Sequence, residues 1–150
     1  MNDVLIYLNE NPAIIFFIFI AVFIFVFSTL YVRGKKAEEI FNGLDLSKIQ
    51  FREKGASGFS SRSLATKFGG ASRALDIIVT NNELCIKGIY PPFTYIGTRV
   101  DLTHRIKTRD ITEIEEKGPK VELSFSKPDG DHKVTLHIKE MAKFIQAIKG

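Results

Sequence analysis

A continuous apolar run from Ala13 to Val32 constrains this chain more than any other feature of its sequence. The run contains no charged residue, and only Ser28 and Thr29 interrupt its apolar character. Twenty helical residues extend for about 30 Å, which is the thickness of the hydrocarbon core of a bilayer. Ile and Phe, which dominate the run, favour strands in soluble proteins. In lipid, however, a lone segment must satisfy its own backbone hydrogen bonds, so it has to form a helix. We therefore predict one transmembrane helix at 13–32.

A buried core helix and a cleaved signal peptide are the two alternatives to a membrane span. A core helix that is apolar on every side needs a large soluble domain around it, and the rest of the chain is too short to supply one. A signal peptide has a basic start, a shorter apolar core and a small-x-small cleavage site. Residues 1–12 instead contain Asp3 and Glu10 and no Lys or Arg. Both comparisons favour a retained transmembrane helix.

The flanks of the run predict its orientation. Arg33, Lys35 and Lys36 follow it directly, and basic residues next to a span stay on the cytoplasmic side. We therefore expect a single-pass protein of the inner (cytoplasmic) membrane. Residues 1–12 form a short extracytoplasmic N-terminus, and everything after the span lies in the cytoplasm.

The basic surplus of the chain lies close to the predicted membrane surface. Residues 33–73 hold nine Lys and Arg against four Asp and Glu, whereas residues 74–150 are nearly balanced. A Lys or Arg near an anionic leaflet can contribute about 1 kcal/mol to membrane binding. Contact with lipid headgroups and an ordinary positive-inside signal explain the surplus equally well.

The remaining residues divide into a juxtamembrane connector at 33–48 and one domain at 49–150. The connector continues the membrane helix by a turn or two, and Gly43 ends it. In the domain, Asn81-Asn82 joins two strands in a hairpin, and 55–72 is a Gly- and Ser-rich segment. The apolar segment 91–99 is irregular because Pro91-Pro92 excludes a central strand; we expect its side chains to pack into the core rather than to touch the bilayer interface. The predicted strands are 49–54, 73–80, 83–90, 102–108, 110–118, 120–127 and 132–138, and the predicted final helix is Lys139–Lys149.

About seven short antiparallel strands and one amphipathic C-terminal helix define the predicted fold class, a mainly β α+β domain. A small sheet of this kind buries its inner face by curling into a barrel that the helix caps. This order, with the run LTHRIKTRDITEIEEKG at 102–118, resembles the pleckstrin-homology (PH) superfold and its bacterial PH-like and GRAM-like relatives. The segment SRSLATKFGGASRALDIIVT at 61–80 is also similar to bacterial membrane-anchored proteins of unassigned function. A fold by itself does not imply a function.

The resemblance implies a possible headgroup site in the first hairpin loop, because PH domains that bind phosphoinositides have a basic loop there. In this chain the spacing is longer than in those domains, and Gly69-Gly70 occupies the centre of the loop. The candidate lipid-headgroup or interaction residues are Arg33, Lys35, Lys36, Lys54, Arg62, Lys67 and Arg73.

Catalysis and metal binding have weak signals in the sequence. Cys85 is the single cysteine and lies in a predicted strand, so we expect a small core residue. His104, His132 and His137 have no ligand spacing, which predicts no metal site and no cofactor. The serines at 57, 60, 61 and 63 lack a histidine that the sequence can tie to them. We therefore predict a protein that is not an enzyme and does not bind nucleic acid.

Two functions remain as hypotheses. In the first, the domain is a protein-interaction or scaffold module held at the inner membrane, with a protein partner that the sequence does not identify. In the second, the basic 55–73 loop, helped by Arg33, Lys35 and Lys36, binds anionic lipid headgroups. We favour the first, because a tethered domain gains little from weak headgroup affinity.

Overall fold

The computed structural model describes residues 11–63 and 70–150. Its helices are α1 (Pro12–Glu38), α2 (Pro91–Arg99) and α3 (Met141–Lys149). Its strands are β1 (Ile49–Ser60), β2 (Ala71–Thr80), β3 (Glu83–Gly88), β4 (His104–Lys107), β5 (Ile111–Lys117), β6 (Lys120–Lys127) and β7 (Gly130–His137). The described chain is thus an α+β protein with an apolar N-terminal helix.

Helix α1 contains the whole predicted span and is long and apolar enough to cross a membrane. Pro12 occupies its first turn, where a missing N–H costs no hydrogen bond. Lys35 and Lys36 lie in its last turn, where positive charge complements the helix dipole. A short 3-10 turn, Glu39–Phe41, continues the helix, and Gly43 follows with a φ of 77°. The predicted extension and its end at Gly43 are confirmed.

All seven strands of the described residues belong to one antiparallel sheet in the order β4-β3-β2-β1-β7-β6-β5. Strand β1 pairs with β2 through most of its length and with β7 through its last four residues, so it joins the two halves of the sheet. The prediction that 55–73 is a loop is wrong at both ends, since residues 55–60 continue β1 and residues 71–73 begin β2. Register shifts around Gly55 (φ 83°) break the apolar alternation that would have revealed the strand.

The inner face of the sheet carries the core. Alternate residues of β2, β3, β6 and β7 are buried as predicted, and Phe144, Ile145 and Ile148 of helix α3 belong to the same core cluster. Phe144 of α3 meets Phe51 of β1 edge-on, with ring centroids 5.4 Å apart. The residues that bury this face include Leu75, Ile77, Val79, Leu84, Ile86, Val121, Leu123, Phe125, Val134 and Leu136.

The connector covers part of the outer face of the same sheet. Phe41 is buried there against Ile78 and Cys85, with Leu44 and Ile49 packed beside them. Cys85 is fully buried, as predicted, although its neighbours belong to this outer cluster rather than to the main core. Strands β2 and β3 are therefore apolar on both faces.

The segment 91–99 is a helix, not an irregular loop. The two prolines stand in the first turn of α2, where they are compatible with helical geometry. The expectation that its apolar side chains pack into the core is wrong for Phe93 and Ile96, which are 46% and 43% exposed. Pro92, Thr94 and Gly97 are the members of α2 that are buried.

Candidate functional site

The end of helix α2 places Asp101 at the centre of a buried polar cluster. The backbone N–H of Leu102 donates to the carbonyl of Gly97 (2.8 Å), and Asp101 has a φ of 56°. This is the geometry of a Schellman C-cap, which requires a left-handed residue just after the helix and which Asp tolerates better than most residues. The cap turns the chain sharply, and the Asp101 carboxylate lies against β1 and β7.

Three groups bind Asp101. The Nδ1 atom of His132 lies 2.9 Å from Oδ1, and the Ser60 hydroxyl donates to Oδ2 over 2.5 Å. The backbone carbonyl of Asp101 lies 2.9 Å from Nε2 of His104. The side chains of His104 and His132 are each only 3% exposed. We call Asp101, His104, Lys127 and His132 the closure cluster.

Lys127 fixes the tautomer of His104. Its Nζ lies 2.9 Å from Nδ1 of His104, and an ammonium group can only donate, so Nδ1 accepts and Nε2 carries the proton. Burial lowers the pKa of His104 to about 4, and the positive charge of Lys127 acts in the same direction. Burial also lowers the pKa of Lys127. His104 is therefore neutral at pH 7.

His132 is held by stacking and by charged groups on its outer side. Its ring lies parallel to that of Phe125, with an interplanar angle of 2° and centroids 5.3 Å apart. Its Nε2 atom lies 2.9 Å from Nη1 of Arg62 and 3.0 Å from Oδ1 of Asp129. The hydrogen bond to His132 lowers the pKa of Asp129.

The closure cluster joins strands that are not neighbours in the sheet. His104 belongs to β4, whereas Lys127 and His132 belong to β6 and β7 on the other side of β1. Asp101 connects these strands to the end of β1 through Ser60. The sheet must therefore curl until β4 meets β6 and β7, and the cluster stabilises this closure.

A divalent cation is the first ligand to consider for Asp101, His104 and His132, because their ligand atoms lie within 4.8 Å of one another. The charges beside them oppose it. The Lys127 ammonium and the Arg62 guanidinium each lie 2.9 Å from one of the imidazoles. Every ring nitrogen of the two histidines already has a hydrogen-bond partner. This arrangement favours a structural polar network over a metal centre.

The closure cluster also lacks the arrangement that nucleophilic catalysis requires. Ser60 is the serine nearest to an Asp–His pair, and it is fully buried. Its hydroxyl donates to Asp101 rather than to His132. Activation of a serine requires the opposite order, in which the base touches the hydroxyl and the acid touches the base.

The predicted juxtamembrane residues lie at the C-terminal end of α1. Arg33 donates from Nη1 to the hydroxyl of Tyr95 in α2 (3.1 Å). Lys35 lies 3.8 Å from the Glu38 carboxylate, and its ammonium faces the ring of Tyr31. Lys36 is exposed. These three residues share one turn of helix.

The predicted loop residues do not form one basic patch. Arg62 contacts Asp129 and His132, whereas Lys54 is exposed on β1. Arg73 is exposed at φ 51°, and its backbone N–H donates to the Ser57 hydroxyl. Lys67 lies outside the described residues.

A contact between α1 and α2 attaches the domain to the apolar helix. Gly34 is the buried residue of α1, and a Cβ atom there would overlap the carbonyl of Pro91. Arg99 donates to the Tyr95 hydroxyl from Nε (3.3 Å) and Nη2 (3.1 Å), so two guanidinium groups converge on one phenol. Their hydrogen bonds lower the pKa of Tyr95, with Arg99 contributing more than Arg33.

Sequence reasoning missed the closure cluster and the Gly34 contact. The one local signal for the cluster was a non-glycine residue, Asp101, between a helix end and a strand, where an Asp can cap in the left-handed region. Gly34 offered a second signal, since a glycine just past an apolar helical run permits close packing.

A scan against protein-family models found no match, and a search of curated proteins likewise found none.

Proposed function

We propose that this chain is a single-pass membrane protein that presents a non-catalytic interaction or scaffold domain to the cytoplasm. Helix α1 is the span, residues 1–12 face outward, and the sheet domain lies on the cytoplasmic side of the inner membrane. The proposal includes an as yet unidentified protein partner and no cofactor.

The Gly34–Pro91 contact is the observation that carries this proposal. Only a glycine permits this approach, so the sheet domain packs directly against the end of its anchor. Arg33 reinforces the contact through Tyr95, and Arg105 of β4 donates to the backbone carbonyls of Ile40 and Asn42 in the connector. A domain held in this way presents a constant surface, which suits a scaffold.

The non-catalytic part of the proposal rests on the closure cluster. Among the described residues, this cluster gathers two buried histidines and a carboxylate, and their polar atoms bond to one another. Catalytic groups need a free position for a reacting atom close to the acid or base. The internal bonds of the cluster occupy those positions.

The fold supports a PH-like assignment as part of the proposal. The chain forms four strands (β1–β4), then three further strands (β5–β7) and a C-terminal helix, and the long β1 joins both halves of the sheet. This order is the one implied by the resemblance to the PH superfold. Helix α2 between β3 and β4 is an additional element.

Site-specific photo-crosslinking in the native membrane tests the scaffold proposal. A photoreactive residue replaces Arg109 or Glu113, both exposed on the sheet domain, or Phe19 on the lipid-facing part of α1 as a control. We expect a discrete protein adduct from a domain position and not from Phe19. The absence of an adduct from a panel of positions over the exposed domain surface would contradict the proposal.

Anionic headgroup binding is the second candidate, and one cleft favours it. Arg73, His137 and Lys139 line a cleft of about 260 Å³ between β1 and β7. Glu53 is also present, where it accepts from the backbone N–H of Lys139 (3.0 Å). A phosphate-bearing headgroup would suit two cationic side chains at this position.

Native mass spectrometry of the full chain from mixed bilayers tests this second candidate. Arg73→Gln and Lys139→Gln should each reduce the anionic lipid that the protein retains, whereas Lys143→Gln, an exposed residue paired with Glu140, is the matched control. If all of these variants retain the same amount of anionic lipid, the cleft is not the headgroup-binding site.

A further inference from the structure

One side of helix α2 exposes large apolar side chains. Tyr90, the N-cap residue, is 63% exposed, and Phe93 and Ile96 within the helix are 46% and 43% exposed. The three residues follow one another at intervals of three. Pro92, Thr94 and Gly97 are the buried residues of the same helix. A contiguous exposed apolar surface on a small domain commonly marks a site of contact with another molecule or with a membrane.

The contact with α1 determines the depth of this surface relative to the end of the apolar span. Pro91 touches Gly34, which directly follows Arg33, the first charged residue after the apolar run. One turn further along α2, the Tyr95 hydroxyl accepts from Arg33, whose guanidinium also lies 5.6 Å from the centre of the Tyr95 ring. The first turn of α2 therefore stays level with the end of the span. The headgroup layer on each side of the hydrocarbon is about 5–7 Å thick.

The polar groups beside the exposed surface suit the same environment. Arg33 and Arg99 both donate to the Tyr95 hydroxyl, and neither forms an ion pair with a carboxylate within the described part of the chain. Guanidinium groups match the geometry of phosphate oxygens. Tyrosines and short amphipathic helices are typical of the membrane interface.

The opposite end of β3 lies away from the contact between α1 and α2, beside the connector, since Glu83, Arg109 and Gly43 line one cleft. Strand β3 ends at Gly88 beside α2 and begins at Glu83, about 17 Å away at about 3.3 Å per residue. The turn that carries Arg109 lies at that far end, since the N–H of Thr108 donates to the carbonyl of Asn82. Arg109 is therefore a matched exposed position outside the interface.

We propose that α2 is an interfacial helix whose Tyr90, Phe93 and Ile96 side chains insert between the headgroups and acyl chains of the leaflet that faces the sheet domain. The inference rests on the proposed function, because it requires α1 to span the bilayer. The partner is lipid rather than protein because the anchor itself keeps this surface at the level of the lipid. Two attachments, α1 and α2, then hold the domain in one orientation relative to the membrane.

Tryptophan fluorescence gives a direct test, because the chain contains no tryptophan. The full chain is reconstituted in bilayers with Trp at one position only, as Tyr90→Trp or Phe93→Trp. Phe19→Trp, within the apolar span, and Arg109→Trp, at the far end of β3, are the controls. Brominated lipids quench tryptophans that reach the acyl chains.

We expect Phe19→Trp to be quenched most by lipids brominated deep in the chain. Tyr90→Trp and Phe93→Trp should show blue-shifted emission and strong quenching by bromines near the carbonyl groups. Arg109→Trp should emit as a water-exposed indole and lose no emission.

The controls separate the two ways in which the inference can fail. If Phe19→Trp is quenched while both α2 variants behave like Arg109→Trp, the proposal that α2 is interfacial is wrong, and the proposal that α1 spans the bilayer is retained. If Phe19→Trp is not quenched, the span is wrong, and the inference falls with it. Cys85 reports folding in every variant: it is fully buried with a pKa raised to about 11 by burial, so it should resist thiol reagents until the protein is denatured.

Discussion

At the scale of single residues, His104 makes the stability of the domain depend on pH. Its pKa is about 4 in the folded protein, mainly because of burial, against about 6.5 when unfolded. The unfolded chain therefore binds more protons between these two values, and stability falls as the pH is lowered from about 6.5 to about 4. The pKa difference corresponds to a loss of about 3 kcal/mol in the free energy of unfolding.

Denaturant titrations of the full chain in detergent at several pH values measure this loss. His104→Gln should lower stability at pH 7 but flatten its fall between pH 6.5 and 4. His137→Gln, a half-buried residue outside the closure cluster, is the control and should keep the wild-type slope. A wild-type slope in His104→Gln as well would assign the acid sensitivity to other groups.

Gly58 is a second residue on which the fold depends. It lies where β1 leaves β2 and joins β7, and a Cβ there would come within 2.9–3.0 Å of Leu136, Leu75 and the carbonyl of Thr135. Gly58→Ala should therefore cost about 1–3 kcal/mol of stability through overpacking, measured as a lower denaturant midpoint. Gln50→Ala, at an exposed position of the same strand, should change the midpoint little.

At the scale of elements, the packing of α2 on α1 depends on one glycine. Gly34→Leu should separate the two helices, because the added side chain cannot share space with Pro91, at a cost of about 1–3 kcal/mol to their association. The sheet should still fold, since its core and Cys85 lie elsewhere. Faster cleavage by trypsin at Arg33, Lys35 or Lys36, with Cys85 still protected, is the expected outcome.

Val32→Leu is the matched control for this variant, because Val32 is 67% exposed on the same helix. Its cleavage should proceed at the wild-type rate. If Gly34→Leu is also cleaved at the wild-type rate, the helix contact does not hold the domain to its anchor.

The elements that sequence reasoning located are those whose signal is local. Strands β6 and β7 alternate strictly, so their inward residues Val121 to Leu136 were predictable from a period of two. Strand β1 was too short in the prediction because its bulges shift the alternation at Gly55. Helix α2 is only nine residues long and begins with two prolines. A segment of this length shows too little helical periodicity in its apolar residues to outweigh two prolines, which usually interrupt regular structure.

At the scale of the whole molecule, the closure cluster shows why the candidate site escaped prediction. The spacing of Asp101, His104 and His132 in the sequence matches no metal-binding or catalytic motif. The positions of Lys127 and Ser60 also give no sign that they join the same cluster. They meet only because a Schellman cap turns the chain at Asp101 and the sheet curls until β4 reaches β6 and β7. Contacts between distant strands depend on closure of the entire sheet, and no local pattern encodes it.

The orientation of the whole molecule gives the last prediction. Arg33, Lys35 and Lys36 follow the span, and residues 1–12 contain no basic side chain, so the sheet domain should remain on the cytoplasmic side. Arg109→Cys supplies an exposed thiol far from the membrane, while Cys85 is buried. A membrane-impermeant maleimide should label Arg109→Cys only after the cells are permeabilised. Changing all three basic residues to Glu should weaken this preference and raise labelling of intact cells, whereas changing Lys54, Lys107 and Lys149 to Glu, more than 20 residues after the span, should leave it unaltered. If Arg109→Cys, with the three basic residues unchanged, is labelled in intact cells, the predicted orientation is wrong. The sheet domain and the three basic residues would then lie outside the cytoplasm.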